Sequence, residues 1–305
     1  MTRADARLDL VRELAVLARA LEARGAYNGG KLLRAAMDAH LTRLAVEDAP
    51  ADSAALAERI DSLAARLRSD DLADDVADRL PAVVRALRDD GIVSLEIAPP
   101  AHVCRACGEL FLGEVPASCP TCEAPPSAFR EHLPIWFLEP ITRAAVLREL
   151  GDGTARVLAS VHGRDDEMLA RSPRAGEWSA RDTLDHLVST EELLADRIAR
   201  LLAEEAPDFA AVSVGAASPR SDEATGVTAE PASRLVDRFR AAREANLGRL
   251  AGLPVADWER SGRHPEWGTV TVLSQAAYFA RHQASHGAQL SAAADGRVPG
   301  ERLPR

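Results

Sequence analysis

Aromatic side chains are scarce in this 305-residue chain, at 4%, and lysine is nearly missing: Lys31 stands alone among arginines. Few rings and few β-branched residues, beside abundant Ala, Leu, Arg, Glu and Asp, disfavour sheets and favour helices, so the expected class is all-α. Basic charge is also short, with 37 Lys and Arg against 47 Asp and Glu and a formal net charge of -10. Nucleic-acid affinity rests on neutralising phosphates with basic charge, and a net negative field opposes it. No apolar run approaches the ~18 residues of a membrane span. The opening Met1-Thr2-Arg3-Ala4-Asp5-Ala6-Arg7 lacks the apolar segment of a secretory leader. The expectation is a cytoplasmic protein that engages neither membrane nor nucleic acid. The excess of arginine over lysine fits a high-GC coding sequence and says little about function.

What the chain does have is helical periodicity. With 47% apolar residues and a mass of 32.6 kDa, it is long enough for two or three domains. Leu8, Val11, Leu14, Leu17 and Leu21 recur at helical spacing until Gly25 stops the run. A second helix is expected over 30–47. Ser53 is expected to cap a third, with Leu56, Ile60, Leu63 and Leu67 on one face. A fourth carries Leu72, Val76, Leu80, Val83 and Leu87, with a kink at Pro81. The run Ile92-Val93-Ser94-Leu95-Glu96-Ile97 has β character and reads as a short strand. Residues 1–98 therefore form an N-terminal helical domain, followed by a Pro- and Gly-rich segment at 99–134 and a helical region at 135–305. In the last, helices are expected from Pro140 toward His162, from Ser179, over 232–250 and over 269–294, the count for a four-helix bundle. Ser179 and Asp182 make a capping-box pattern ahead of Leu184, Leu187, Val188, Leu194 and Ile198. Residues 206–231 lack periodicity and read as a long mobile loop. No repeat recurs at a fixed period of 20–50 residues.

All four cysteines fall inside 99–134, as Cys104-x-x-Cys107 and Cys119-x-x-Cys122. Each pair can bend its backbone so that both sulfurs meet one metal, and two such knuckles complete a tetrahedral S4 shell. The alternatives are ordinary buried thiols or two disulfides, the latter needing an oxidising compartment that nothing in the sequence suggests. His102, two residues before Cys104, is an alternative ligand. The stretch Val103-Cys104-Arg105-Ala106-Cys107-Gly108-Glu109-Leu110-Phe111, with Cys119-Pro120-Thr121-Cys122-Glu123-Ala124-Pro125 and Ser127-Ala128-Phe129, resembles the rubredoxin-like domain of rubrerythrins over residues 101–132. It departs from that pattern at Glu123, where a glycine would relieve a left-handed backbone position. Spacing alone does not choose between zinc and iron. A di-iron partner site would need Glu-x-x-His pairs in residues 1–98. The only histidine there is His40, with Met37 three residues before it, so the closed four-ligand logic favours structural zinc over an electron-transferring iron.

His282-x-x-x-His286 places two imidazoles on one helical face, the arrangement for holding one metal. Gln275, Tyr278, His282, His286 and Gln289 share a stripe of that helix. A solvated face is the alternative reading. The stretch Gly176-Glu177-Trp178-Ser179-Ala180-Arg181-Asp182-Thr183-Leu184-Asp185-His186-Leu187 resembles the second-helix entry of the DinB-like superfamily. The later His264-Pro265-Glu266-Trp267-Gly268-Thr269-Val270-Thr271 lead-in, His282, His286 and Gln289-Leu290 resemble that family's final helix, and the likeness spans roughly residues 140–295. It implies an antiparallel four-helix bundle holding a divalent metal, zinc or nickel, through His186, His282 and His286; by spacing alone His186 is a boundary histidine. Three protein ligands leave a fourth position for water or a substrate thiol.

The superfamily includes thiol-dependent transferases and isomerases, such as mycothiol-dependent maleylpyruvate isomerase, and the likeness carries the site rather than the substrate. The functions to weigh are transfer or isomerisation with a low-molecular-weight thiol cosubstrate or a metal-dependent hydrolysis, a non-enzymatic metal-binding stress or protein-interaction module, and electron transfer through iron at the four cysteines. Glu177, Asp182, Asp185 and Glu191 are candidates to orient an imidazole. Trp178 is expected to pack the helix entry, and His40, His132, His162 and His264 to be surface, loop or packing residues. The N-terminal helices carry no identifiable chemistry, which leaves contact with a protein partner or packing against the bundle as their expected role; a homodimer is a separate expectation for the chain.

Overall fold

The computed structural model describes residues 3–48, 52–68, 74–89, 93–209 and 230–298. The chain divides into two compact units, Met1–Gly91 and Ile92–Arg305.

The first unit is two helical hairpins. Helices α1 (Arg3–Glu22) and α2 (Tyr27–Asp48) pack on each other, as do α3 (Ser53–Leu67) and α4 (Asp74–Arg88). Gly25 stops α1 as its sequence position implies. Its φ of 76° lets the Ala26 N–H reach back to the Leu21 carbonyl at 2.9 Å, satisfying a helix-end acceptor. Asp52, not Ser53, caps α3: its carboxylate accepts from the Ala55 N–H at 2.8 Å, and Ser53 is already the first helical residue. Either side chain can serve as a cap. α4 runs on through Pro81; Leu72 lies outside the described residues. Burial in this unit is carried by small side chains, Ala18, Ala57, Ala64, Ala77 and Val84, while Leu8 and Leu17 of the α1 stripe stand 55% and 44% exposed.

The second unit joins a small sheet module to a helical bundle. Strands β1 (Ala101–Cys104), β2 (Leu110–Leu112) and β3 (Phe129–His132) form an antiparallel sheet in the order β2-β1-β3. The strand expected at 92–97 is absent among the described residues. Residues 95–97 turn instead, with the Ile97 and Ala98 N–H groups both reaching the Ser94 carbonyl at 3.0 and 2.9 Å. The Leu95 N–H bonds the Pro265 carbonyl at 3.1 Å, a single contact that does not extend into a ladder.

The bundle helices are α5 (Arg143–Val161), α7 (Ala180–Ala203), α8 (Ala232–Ala251) and α9 (Val272–Ala294), with a single-turn α6 (Asp166–Ala170) between the first two. α5 packs on α9, α9 on α7, α7 on α8 and α8 back on α5, closing a four-helix ring. The Ser179/Asp182 capping box is present in both directions and starts α7. The helix expected from 269 begins at Val272, because residues 268–271 are taken by a hairpin of β4 (Ser261–His264) with β5 (Gly268–Thr271). Thr271 ends that hairpin and caps α9. Most of the loop expected at 206–231 lies outside the described residues; of its N-terminal part, the Phe209 N–H bonds the Arg263 carbonyl at 2.8 Å.

Two apolar clusters fill the bundle. One, around Phe137, Leu194, Ile198, Trp258 and Phe279, lies toward the hairpin; the other, around Val157, Leu184, Leu187, Phe239 and Leu290, lies toward the opposite end. The Arg281 guanidinium ties the turn before α5 to α9 by donating to the carbonyls of Phe137 and Glu139 at 3.0 and 2.6 Å. Gly153 lets α5 approach α9 closely: a Cβ there would sit 2.8 Å from the Gln283 amide.

Two candidate metal centres

The four cysteines converge from two loops of the module. Cys104 Sγ lies 3.7 Å from Cys122 Sγ, and Cys107 Sγ lies 3.6 Å from Cys119 Sγ. Thiolates at ~2.3 Å from a tetrahedral ion are about 3.7 Å apart, so the spacing is that of ligands to a shared ion. No disulfide joins them. The two knuckles have matching hydrogen bonds. Gly108 N–H bonds the Cys104 carbonyl at 2.8 Å as Glu123 N–H bonds the Cys119 carbonyl at 2.7 Å. Cys104 and Cys119 N–H groups bond the carbonyls of Glu109 and Ala124 at 2.8 and 2.9 Å. Glu123 thus occupies the backbone role of Gly108, with φ 60° against 93°. The departure at Glu123 leaves the knuckle intact and places a side chain where L-residues are strained by roughly 1 kcal/mol. The Cys104 thiol is drawn down to about 7, chiefly by the backbone N–H of Cys107 and, against burial, by that of Ala106. His102 is buried in β1 and does not join the sulfur cluster.

The second centre is built from two helices. His186 comes from α7, and His282 and His286 from successive turns of α9, with all three ligand nitrogens within 4.8 Å of one another. The Nε2 atoms of His186 and His282 are 3.4 Å apart. Two imidazole nitrogens at ~2.0–2.1 Å from a tetrahedral ion sit about 3.3–3.4 Å apart, so this pair too has the spacing of shared ligands. His186 and His282 are only 8% and 6% exposed. Burial, and then the neighbouring imidazole charge, pushes His186 down to about 4 and His282 to about 3. Burial also lowers His286, opposed by its bond to Gln289. All three are therefore neutral lone-pair donors at neutral pH. The Gln289 Oε1 lies 2.8 Å from His286 Nδ1, placing the proton there and leaving Nε2 as the donor atom.

Of the four carboxylates singled out from sequence, two are engaged away from the imidazoles. Asp182 is spent in the capping box. Glu191 is buried against Arg243, which it holds in a two-pronged ion pair, and also accepts from Asn246 at 3.0 Å. Asp185 and Glu177 stand outside the imidazole cluster. Trp178 does more than pack a helix entry: its ring lies 5.0 Å from that of His186 and stacks at 5.9 Å on that of His286. Phe137 and Tyr278 complete the surroundings of His282, at 6.1 and 5.7 Å between ring centres. His264, read from sequence as a surface, loop or packing residue, is buried and stacked on Trp267 at 4.0 Å. Sequence reasoning passed over Arg243 and Asn246, which lie with Leu235, Phe239 and Leu250 on the buried stripe of α8. That stripe is visible in the sequence as an i, i+4 series interrupted by two polar residues.

Comparison with known proteins bears on the bundle. Residues 149–290 match the DinB superfamily. The uncharacterized protein YuaE of Bacillus subtilis (strain 168) is 27% identical over 141 residues, covering 42% of this chain and 84% of that protein. A solved structure reported as "YfiT from Bacillus subtilis is a probable metal-dependent hydrolase with an unusual four-helix bundle topology" aligns at 20% identity and a TM-score of 0.43, over 50% of this chain and 87% of that one.

Proposed function

Residues 149–290 form a DinB-superfamily domain, and we propose that it holds a divalent ion, zinc or nickel, through His186, His282 and His286 to activate a small nucleophile brought from solution. The observation that carries this reading is the convergence of three neutral imidazoles from two helices within 4.8 Å. Bound there, such an ion supplies Lewis acidity and lowers the pKa of a water or thiol at its free position, with three uncharged ligands leaving its double charge undiminished.

The chain's own residues do the rest. Gln289 fixes the tautomer and ring orientation of His286. Trp178, Phe137 and Tyr278 wall the imidazoles with rings and restrict water. No carboxylate joins the cluster of three imidazoles among the described residues, and activating a water there would call on a separate acid–base group. A thiol, which ionises near pH ~8.5 unaided, has less need of one. The four cysteines are gathered in the other cluster, so the thiol is a low-molecular-weight cosubstrate. The reading is a thiol-dependent transferase or isomerase. The four-cysteine module, its sulfur shell closed, is proposed to hold structural zinc.

The test is consumption of small thiols in the presence of electrophiles by metal-loaded protein. Turnover that His282→Ala abolishes is expected. Silence across thiols together with cleavage of ester or amide substrates would replace this reading with hydrolysis. Silence in both assays would favour a binding module.

A further inference from the structure

Two arginines are fully buried in the bundle, Arg197 on α7 and Arg243 on α8. Arg243 is neutralised by Glu191 and also donates to Gln283 and to the Leu150 carbonyl. Arg197 feels the charge of Asp196 through space but has no carboxylate in ion-pair contact among the described residues. Its Nη1 donates to Gln275 Oε1 at 2.7 Å, and its guanidinium lies 5.6–5.7 Å from the rings of Phe209, Trp267 and Phe279. Its Nη2 is buried without a hydrogen-bond partner. Ring faces offset a buried cation only in part, and a charge left without a counter-charge is among the most destabilising features a core can carry.

Two further unpartnered atoms adjoin it. Gln275 turns its Oε1 to Arg197, so its buried, unpartnered Nε2 is an amide donor. His264 shares the Trp267 ring with Arg197, and its Nδ1 accepts the N–H groups of Glu266 and Trp267, both at 3.3 Å. Its proton is therefore on Nε2, which is likewise buried and unpartnered. All three atoms are donors: one belongs to the Arg197 guanidinium, one to the amide bonded to it, and one to an imidazole stacked on a ring that the guanidinium also faces. A water would satisfy two donors and leave the charge; an anion satisfies both.

We propose that Arg197, Gln275 and His264 form a binding site for a small monoanion, a carboxylate group or a halide, where the β4–β5 hairpin meets α7 and α9. The site is distinct from the imidazole cluster: Gln275 precedes His282 by seven residues of α9, about 10 Å along the axis. It does not depend on any metal there.

All four tryptophans, Trp136, Trp178, Trp258 and Trp267, lie in the second unit, so their fluorescence follows its unfolding in the full-length protein. Thermal unfolding is measured at fixed ionic strength while sodium gluconate, too large for a closed site, is exchanged for formate, acetate or chloride. At tenfold above its dissociation constant, a bound anion is expected to raise the midpoint by about 3–6 °C, and Arg197→Met is expected to abolish the rise. A response to formate and acetate alone identifies a carboxylate site; a response to chloride as well identifies a general monoanion site. No response in the native protein, or an equal response in Arg197→Met, overturns the proposal. If that variant does not fold, crystals of the native protein grown in bromide decide. An anomalous peak within hydrogen-bond reach of Arg197 Nη2 and Gln275 Nε2 supports the site, and water alone there overturns it.

Discussion

The two candidate centres are built in opposite ways. Cys104, at the end of β1, and Cys122, in a turn, are only 18 positions apart. His186 and His282 are 96 positions apart, on helices that an apolar core already holds. The sulfur site organises its surroundings; the imidazole site is organised by them. A module of about 30 residues buries too little apolar surface to stand without such a centre, whereas the bundle stands on Leu184, Leu187, Leu194, Ile198 and their neighbours.

The strongest way to break this contrast is to remove one ligand from the module. Cys104→Ser is expected to unfold residues 99–134 outright, seen as rapid proteolysis confined to that segment. The bundle should keep its unfolding transition. A folded module in that variant would show that the sulfur cluster is incidental to it.

Acid offers a second separation, smaller in effect. Burial keeps the folded imidazoles neutral, with His186 at about 4 and His282 at about 3, while unfolded histidines titrate near ~6.5. As pH falls, the unfolded chain binds protons first. The stability these groups allow is whole above ~6.5 and is lost progressively down through about 4 and 3. Urea unfolding of metal-free protein, followed by tryptophan fluorescence, should weaken from pH 7 to 5, with a shallower slope in His282→Phe. A flat profile would mean that the imidazoles are not held neutral.

The smallest effect sharpens a comparison within the module. Glu123 holds a left-handed backbone where its twin knuckle has Gly108. Glu123→Gly is expected to stabilise the module by about 1 kcal/mol, read from the chelator concentration that unfolds it. Destabilisation would show that the Glu123 side chain makes a contact that outweighs the strain.

The same contrast explains what could be read from the sequence. The convergence of the four cysteines was legible, because their paired spacing is local. The bundle helices were legible from periodicity, and the Ser179/Asp182 cap from its own three-residue pattern. His186 was not legible from spacing; only the likeness of its surroundings to a family pointed to it, because its partners lie on another helix. The β4–β5 hairpin escaped notice since Ser261-Gly262-Arg263-His264 has no apolar alternation, although Gly262 and His264 are buried. The apparent strand at 92–97 had the alternation and lacked a ladder. Arg197 and Arg243 follow the same rule: a charged residue within an apolar stripe reads as an interruption until its partner, 78 or 52 positions away, is in place. In the first unit, the leucine stripe of α1 predicts burial that Leu8 and Leu17 do not have.

The central claim is that three imidazoles from two helices hold one ion independently of the sulfur cluster. Metal content per chain after reconstitution with zinc and removal of loosely bound ions tests it directly. The account predicts two ions in the native protein and one in each of His186→Ala, His282→Ala and His286→Ala, with the bundle still folded. Two ions retained in all three variants, or one ion in the native protein that only the cysteine variants lose, would contradict it.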